Sequence, residues 1–142
     1  MPRPRYHAAL SLGLAGLVVA RSRRWRDALP VVVAGVLVDL DHLVDLAATR
    51  ASGKAEWIIL PLHAWEWVFG LLARRQHLAD ALAGGLAAHL ALDQLNPVVR
   101  HPLFYWLTVR VAYRFRATSP LVDPRRFAAD ARWMTQAPRD WF

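Results

Sequence analysis

The 142-residue chain contains no cysteine. This absence excludes a disulfide framework, a cysteine-ligated zinc site and thiol-based catalysis. Charged residues are also scarce, at 20% of the chain, whereas hydrophobic residues make up 56%. Because an intrinsically disordered chain needs low hydrophobicity, the composition predicts a folded protein, and the length fits a single domain.

Lysine is almost absent as well, since Lys54 is the single lysine among 18 basic residues. With 11 acidic residues, the formal net charge is +7. Such a balance indicates an anionic partner, either nucleic acid or an anionic membrane surface. The arginines collect between apolar blocks, most densely at Arg21, Arg23, Arg24 and Arg26.

The apolar residues form blocks that predict membrane spans. The blocks cover residues 6–20, 28–48, 57–73 and 78–95. About 20 residues cross a bilayer core, with a lower limit of about 17, which the first block misses narrowly. The blocks are apolar all round rather than striped, and tryptophans lie near their ends, as in an aromatic belt. We therefore predict an all-α, multi-pass integral membrane four-helix bundle over residues 1–97.

Residues 98–142 have a different character and are predicted to lie at the membrane interface. The stretch 103–115 is aromatic but contains Arg110 and Arg114, so it is too short and too charged to span. Asp123-Pro124 predicts an N-cap and first position of a C-terminal helix. One face of this amphipathic helix collects Phe127, Ala131 and Met134. It suits an anionic membrane surface, and packing against the rest of the protein is the alternative.

Ionisable residues inside the apolar blocks require a partner or a function, because burying them in a membrane is costly. They are His7, Asp39, Asp41, His42, Asp45, His63, Glu66, His89 and Asp93. If four helices run up and down, all of these residues fall toward the same end of the bundle. The pairs His89/Asp93 and His63/Glu66 are spaced to share a helix face. The sequence therefore predicts one shared polar site.

Imidazole and carboxylate groups without sulfur are typical ligands of zinc, manganese or iron. The predicted metal ligands are His7, Asp39, Asp41, His42, His63, His89 and Asp93. The predicted catalytic residues are Glu66, which would orient or deprotonate water, and Asp41. One or two ions fit this set, and two ions about 3.5–4 Å apart are suited to phosphoester hydrolysis. The alternative is that the same side chains form hydrogen-bonded pairs that fasten helices together.

The order of these motifs resembles a family of small inner-membrane proteins classed as metal-dependent hydrolases. The matching pieces are His7, Asp39-Leu40-Asp41-His42, His63 and His89-Leu90-Ala91-Leu92-Asp93, within residues 5–97. One branch of that family is described as LexA-binding. The resemblance implies an inner-membrane location and a metal-dependent hydrolase activity. Zinc-dependent phospholipase C and related nucleases are similar more distantly, through their H-x-x-x-D and H-x-x-x-E helices.

The chain departs from the family pattern at two positions near the predicted site. Val38 stands where the family typically has proline before its D-x-D-H motif. Leu62-His63-Ala64-Trp65-Glu66 stands where the family has Arg-x-x-Thr-His-Ser. The lost hydroxyl groups leave Glu66 as a substitute ligand or base.

Three functions are compatible with these observations. The first is a membrane metal-dependent hydrolase that binds a divalent metal, zinc foremost, and acts on a lipid or phosphoester near anionic headgroups. The second is a non-catalytic small subunit of a larger membrane complex, whose polar residues are structural or ligate a haem or chlorophyll. The third, a soluble basic protein that binds nucleic acid through arginine and tryptophan, is the least compatible with the apolar blocks.

Overall fold

The computed structural model describes residues 4–131, and every regular element within that range is helical. The predicted all-α class is therefore confirmed. The α-helices of these residues are α1 (Pro4–Ser22), α2 (Leu29–Val36), α3 (His42–Ser52), α4 (Trp65–Leu72), α5 (His77–Gln94), α6 (Leu107–Ala112) and α7 (Pro124–Asp130). Short 3-10 helices cover Trp25–Asp27 and Leu37–Asp41.

The predicted integral membrane bundle is wrong, since none of the helices in residues 4–131 has the length and apolar character to cross a bilayer. The predicted span 28–48 is divided among α2, a 3-10 helix and α3. The predicted span 57–73 begins as a loop, and α4 has only eight residues. In α5, His89 and Asp93 interrupt the apolar sequence. The same finding contradicts the predicted multi-pass inner-membrane location and its transmembrane helices.

Apolar side chains of the predicted spans lie on both sides of their helices. Exposed examples are Leu12, Leu17, Leu29, Leu40 and Leu43. The all-round apolar pattern therefore does not indicate burial on every side. Large apolar side chains commonly remain at protein surfaces. The pattern alone therefore could not distinguish a helix that is covered on every side from one that exposes some of its apolar side chains.

Two glycines allow the N-terminal helices to approach one another closely. A Cβ atom on Gly85 would collide with the backbone of Val31, where α5 crosses α2. A Cβ atom on Gly35 would collide with the Ser11 side chain of α1. Because glycine has no side chain at these crossings, α1, α2 and α5 can pack closely against one another.

The C-terminal region belongs to the same core as the helices before it. Phe104 and Tyr105, predicted to lie at an interface, are buried with Phe127 in a cluster that also contains Leu90 of α5. The predicted cap of α7 is confirmed, because the Asp123 side chain accepts hydrogen bonds from the Arg125 and Arg126 backbone amides. Met134 lies outside the described residues.

Candidate metal centre

The fold brings the seven predicted metal ligands into one cluster. His7 comes from α1, Asp39 and Asp41 from the 3-10 helix, His42 from α3, His63 from the loop before α4, and His89 and Asp93 from α5. Three overlapping groups have ligand atoms within 4.8 Å of one another: His7/His89/Asp93, Asp39/His63/His89 and Asp41/His42/His63. These buried histidine and aspartate groups could hold a metal ion.

Four side chains form the centre of this cluster. The Nε2 atoms of His63 and His89 lie 3.0 Å apart. Asp93 Oδ2 lies 3.2 Å from the first of these nitrogens and 3.3 Å from the second. Asp39 Oδ1 lies 3.5 Å and 3.3 Å from the same two atoms. Each of the two carboxylate oxygens therefore lies close to both ring nitrogens.

The other ring nitrogen of each central histidine has an acceptor of its own. His89 Nδ1 lies 2.8 Å from the carbonyl oxygen of Gly35, and His63 Nδ1 lies 3.0 Å from Asp41 Oδ2. A carbonyl oxygen only accepts, so His89 carries its hydrogen on Nδ1. A carboxylate favours the same arrangement at His63. The Nε2 lone pairs are thereby directed into the cluster, as is usual for histidines that bind metals.

The electrostatic environment favours a positive charge at the centre. Burial alone would raise the pKa of the Asp93 carboxyl, but hydrogen bonds from His63, His7 and His89 hold that pKa far below its usual value. Burial alone would lower the pKa of His89, yet its contacts with the carboxylates of Asp39 and Asp93 raise it to about 9. Protons or a metal ion can supply this positive charge.

His7 and His42 contact different carboxylates of the centre. His7 Nε2 lies 3.2 Å from Asp93 Oδ1, and its ring stacks on that of His89 with the centroids 3.9 Å apart. His42 Nε2 lies 3.7 Å from Asp39 Oδ1. Burial is the main cause that lowers the pKa of His42 to about 4, so its ring is neutral near pH 7.

The cluster is reached from one side. The side chains of Asp39 and His42 are 29% and 15% exposed, whereas those of His7, His63, His89 and Asp93 are at most 6% exposed. Water can therefore reach the cluster at Asp39 and His42.

Glu66, predicted as a catalytic residue, is absent from the ligand groups of the described residues. Its carboxylate accepts hydrogen bonds from the backbone amides of Leu107 and Thr108 and from the Thr108 hydroxyl. It therefore caps the N-terminus of α6.

Sequence reasoning missed one buried charge beside the cluster and misjudged another. Arg110, predicted to lie at an interface, is only 2% exposed. Asp45, expected in the shared polar site, instead binds the neighbouring loop: it is 1% exposed and accepts a hydrogen bond from the Ile59 amide. An arginine within the apolar stretch 107–112 was the available signal, since such a residue needs a buried partner.

Comparisons with protein-family models, curated proteins and solved structures find no match for this chain. The resemblance to the inner-membrane hydrolase family is neither supported nor contradicted by them, and it stays a prediction.

Proposed function

We propose that the protein is a metal-dependent hydrolase that binds a divalent ion, zinc foremost, among His63, His89, Asp39 and Asp93. The supporting observation is the spacing of the ligand atoms. Five of the six distances among them lie between 3.0 and 3.5 Å. Zinc bound tetrahedrally at about 2.0–2.1 Å separates its ligands by about 3.3–3.4 Å.

The direction of the ring nitrogens also supports a cation at this point. With their hydrogens on Nδ1, His63 and His89 bring two Nε2 lone pairs to within 3.0 Å of each other. Two lone pairs at this distance repel unless a positive charge lies between them. The two adjacent carboxylates increase the preference for a cation, and oxygen with imidazole nitrogen suits zinc, manganese or iron.

A metal ion at this position would supply Lewis acidity and lower the pKa of water. His63, His89 and Asp93 are buried and would hold the ion, a set of two histidines and one carboxylate also found in zinc hydrolases. Asp39 faces solvent and can give up its position to a substrate. His42, neutral near pH 7, would offer Nε2 as a hydrogen-bond acceptor for water or substrate on the exposed side.

The surroundings of the exposed side favour an ester or phosphoester with an apolar portion. Leu40 and Leu43, next to the exposed ligands in the chain, are each 57% exposed, and Leu62 is 46% exposed. Exposed apolar side chains beside a polar site can bind the hydrocarbon part of an amphiphilic substrate such as a lipid.

Metal analysis of the purified protein tests the binding site. We expect about one equivalent of zinc in the wild type and in His77→Ala, which changes an exposed histidine outside the cluster. His89→Ala should lose the metal. Equal metal content in the two variants, or background levels in the wild type, would refute the site.

Hydrolysis is tested with a soluble phosphodiester and with phospholipids of short and long chain length. We expect zinc-dependent turnover that increases with chain length and is lost in His89→Ala. Turnover that persists in the metal-free protein would contradict the assignment.

A structural metal site is the second candidate, because four protein ligands would leave no open position on a tetrahedral ion, and closed sites are typical of structural zinc. Asp39→Asn separates the two functions. In a structural site this variant loses stability together with zinc. In a catalytic site it retains most of the zinc through His63, His89 and Asp93 while its turnover changes.

A further inference from the structure

The loop that carries His63 lies between α3 and α4 and has an irregular backbone. Leu60, buried within it, has a positive φ of 37°, a conformation that residues with a side chain rarely adopt. His63 follows three residues later, and its backbone amide is hydrogen bonded to the Leu60 carbonyl. Surrounding groups must hold such a loop in place, because its own backbone hydrogen bonds are few.

Two buried carboxylates bind the amide side of this loop. Asp41 Oδ2 accepts hydrogen bonds from the amides of Leu62 at 2.7 Å and His63 at 3.2 Å. Asp45 Oδ1 accepts from the Ile59 amide at 2.7 Å. Both carboxylates come from the segment 37–52, which also supplies Asp39 and His42 to the cluster.

Arg110 binds the carbonyl side of the same loop. Its Nη1 donates to the carbonyl oxygens of Ile59 at 2.8 Å and Leu60 at 2.9 Å, and its Nη2 donates to that of His63. Among the described residues, no carboxylate lies within ion-pair distance of this guanidinium. Arg110 is almost fully buried and donates its hydrogen bonds to backbone carbonyls, while Asp41, Asp45 and Glu66 act on its charge from beyond ion-pair distance.

We propose that Arg110 is a positioning residue of the metal centre, which fixes the His63 loop so that the His63 ring meets His89. This inference rests on the proposed metal site. A guanidinium can bind several carbonyls at once through its planar fork, whereas a lysine presents a single compact ammonium. Arg110 therefore fixes the backbone, and Asp41 fixes the ring of the same residue.

The test compares Arg110→Lys and Arg110→Met with Val122→Ala. The control removes buried methyl groups from the same C-terminal region and leaves the hydrogen bonds of the loop intact. Cobalt is titrated into each protein, since its visible spectrum reports both affinity and tetrahedral geometry. We expect both Arg110 variants to lose about 10- to 100-fold in affinity, as for other residues that orient metal ligands, together with a weaker tetrahedral spectrum. The cobalt affinity of Val122→Ala should stay within about twofold of the wild type, a change much smaller than the loss expected for the Arg110 variants.

Measurements on the metal-free protein separate this inference from the metal site itself. In both Arg110 variants, the amides of Leu62 and His63 should exchange with solvent faster relative to those of α5, and the His63 ring nitrogen shifts should change. If the wild type binds no metal, these two readouts still decide the role of Arg110. The proposed role of Arg110 would be overturned if the Arg110 variants matched Val122→Ala in cobalt affinity, in amide exchange and in the His63 ring nitrogen shifts.

The wild type provides a test that does not depend on whether a variant folds. A guanidinium bound to three carbonyls should give separate, slowly exchanging Nη signals in nitrogen-edited NMR spectra. A single averaged signal for Arg110, typical of a freely rotating guanidinium, would overturn the proposal.

Discussion

His63 and His89 face each other through their Nε2 atoms at 3.0 Å, while Asp41 and Gly35 occupy their Nδ1 sides. Without a metal, protons on the two rings supply the positive charge. Burial alone would lower the pKa of each ring, but hydrogen bonds with Asp39 and Asp93 raise the pKa of both, that of His89 to about 9. A metal ion therefore competes with protons for these ring nitrogens.

Metal binding near pH 7 should release at least one proton. Because the His89 ring is protonated below about pH 9 and the pKa of His63 is raised as well, affinity should rise at least about tenfold per pH unit from pH 7 to pH 9. Calorimetric titration in two buffers with different ionisation enthalpies measures the release. Identical enthalpies in both buffers would contradict the expected competition.

Gly85→Ala should destabilise the fold by about 1–3 kcal/mol, because the new Cβ atom collides with the Val31 backbone. The separation of α5 from α2 should also move His89 away from Gly35 and weaken metal binding. Gly84→Ala is the matched control, since nothing lies within 4 Å of its Cβ position, and it should stabilise by up to about 1 kcal/mol. Urea denaturation and cobalt titration check both variants; equal effects would disprove the close contact.

Glu66→Ala should lower the free energy of unfolding by about 0.5–2 kcal/mol, the usual effect of losing a helix cap. Cobalt affinity should stay unchanged, because the Glu66 carboxylate binds α6 rather than the cluster. Glu56→Ala provides a comparison, since the ion pairs of Glu56 are 3.9 Å long and its side chain is 44% exposed. A marked loss of cobalt affinity in Glu66→Ala would restore a role at the metal.

Asp45→Asn should remove the contribution of the Asp45 carboxyl to the pH dependence of the free energy of unfolding. Burial is the main cause that raises the Asp45 pKa from 3.8 to about 6, so the folded state holds its proton more tightly than the unfolded state. Its contribution is therefore greatest below about pH 4 and is lost as the pH rises through about 6, by up to roughly 3 kcal/mol. Denaturation from pH 4 to pH 7 should show Asp45→Asn gaining stability relative to the wild type. A constant difference across this range would contradict the assignment.

The sequence alone predicts which residues form the histidine and aspartate cluster, but it only partly predicts how the fold brings them together. Helical spacing pairs His89 with Asp93, and an up-and-down order of helices brings the distant histidines together. Asp41 and Glu66 could not be assigned this way, because their roles depend on backbone amides supplied by the loop before α4 and by α6. Chain spacing does not reveal which backbone groups a carboxylate will meet.

The membrane prediction failed for a related reason. Hydropathy of a block does not reveal where its helix ends, and the block at 28–48 changes from α2 to a 3-10 helix before α3. That change directs Asp39 and Asp41 toward His63. The same residues that interrupt the apolar sequence thus form the candidate metal centre.

The hydrogen bonds from Arg110 join positions about fifty residues apart in the chain. Contacts between such distant positions form late, since a long loop must close first. The proposed metal ligands all lie within residues 7–93, so they are synthesised well before Arg110, the residue that holds the His63 loop. A nascent chain that ends before Arg110 would carry every ligand but an unfinished binding site.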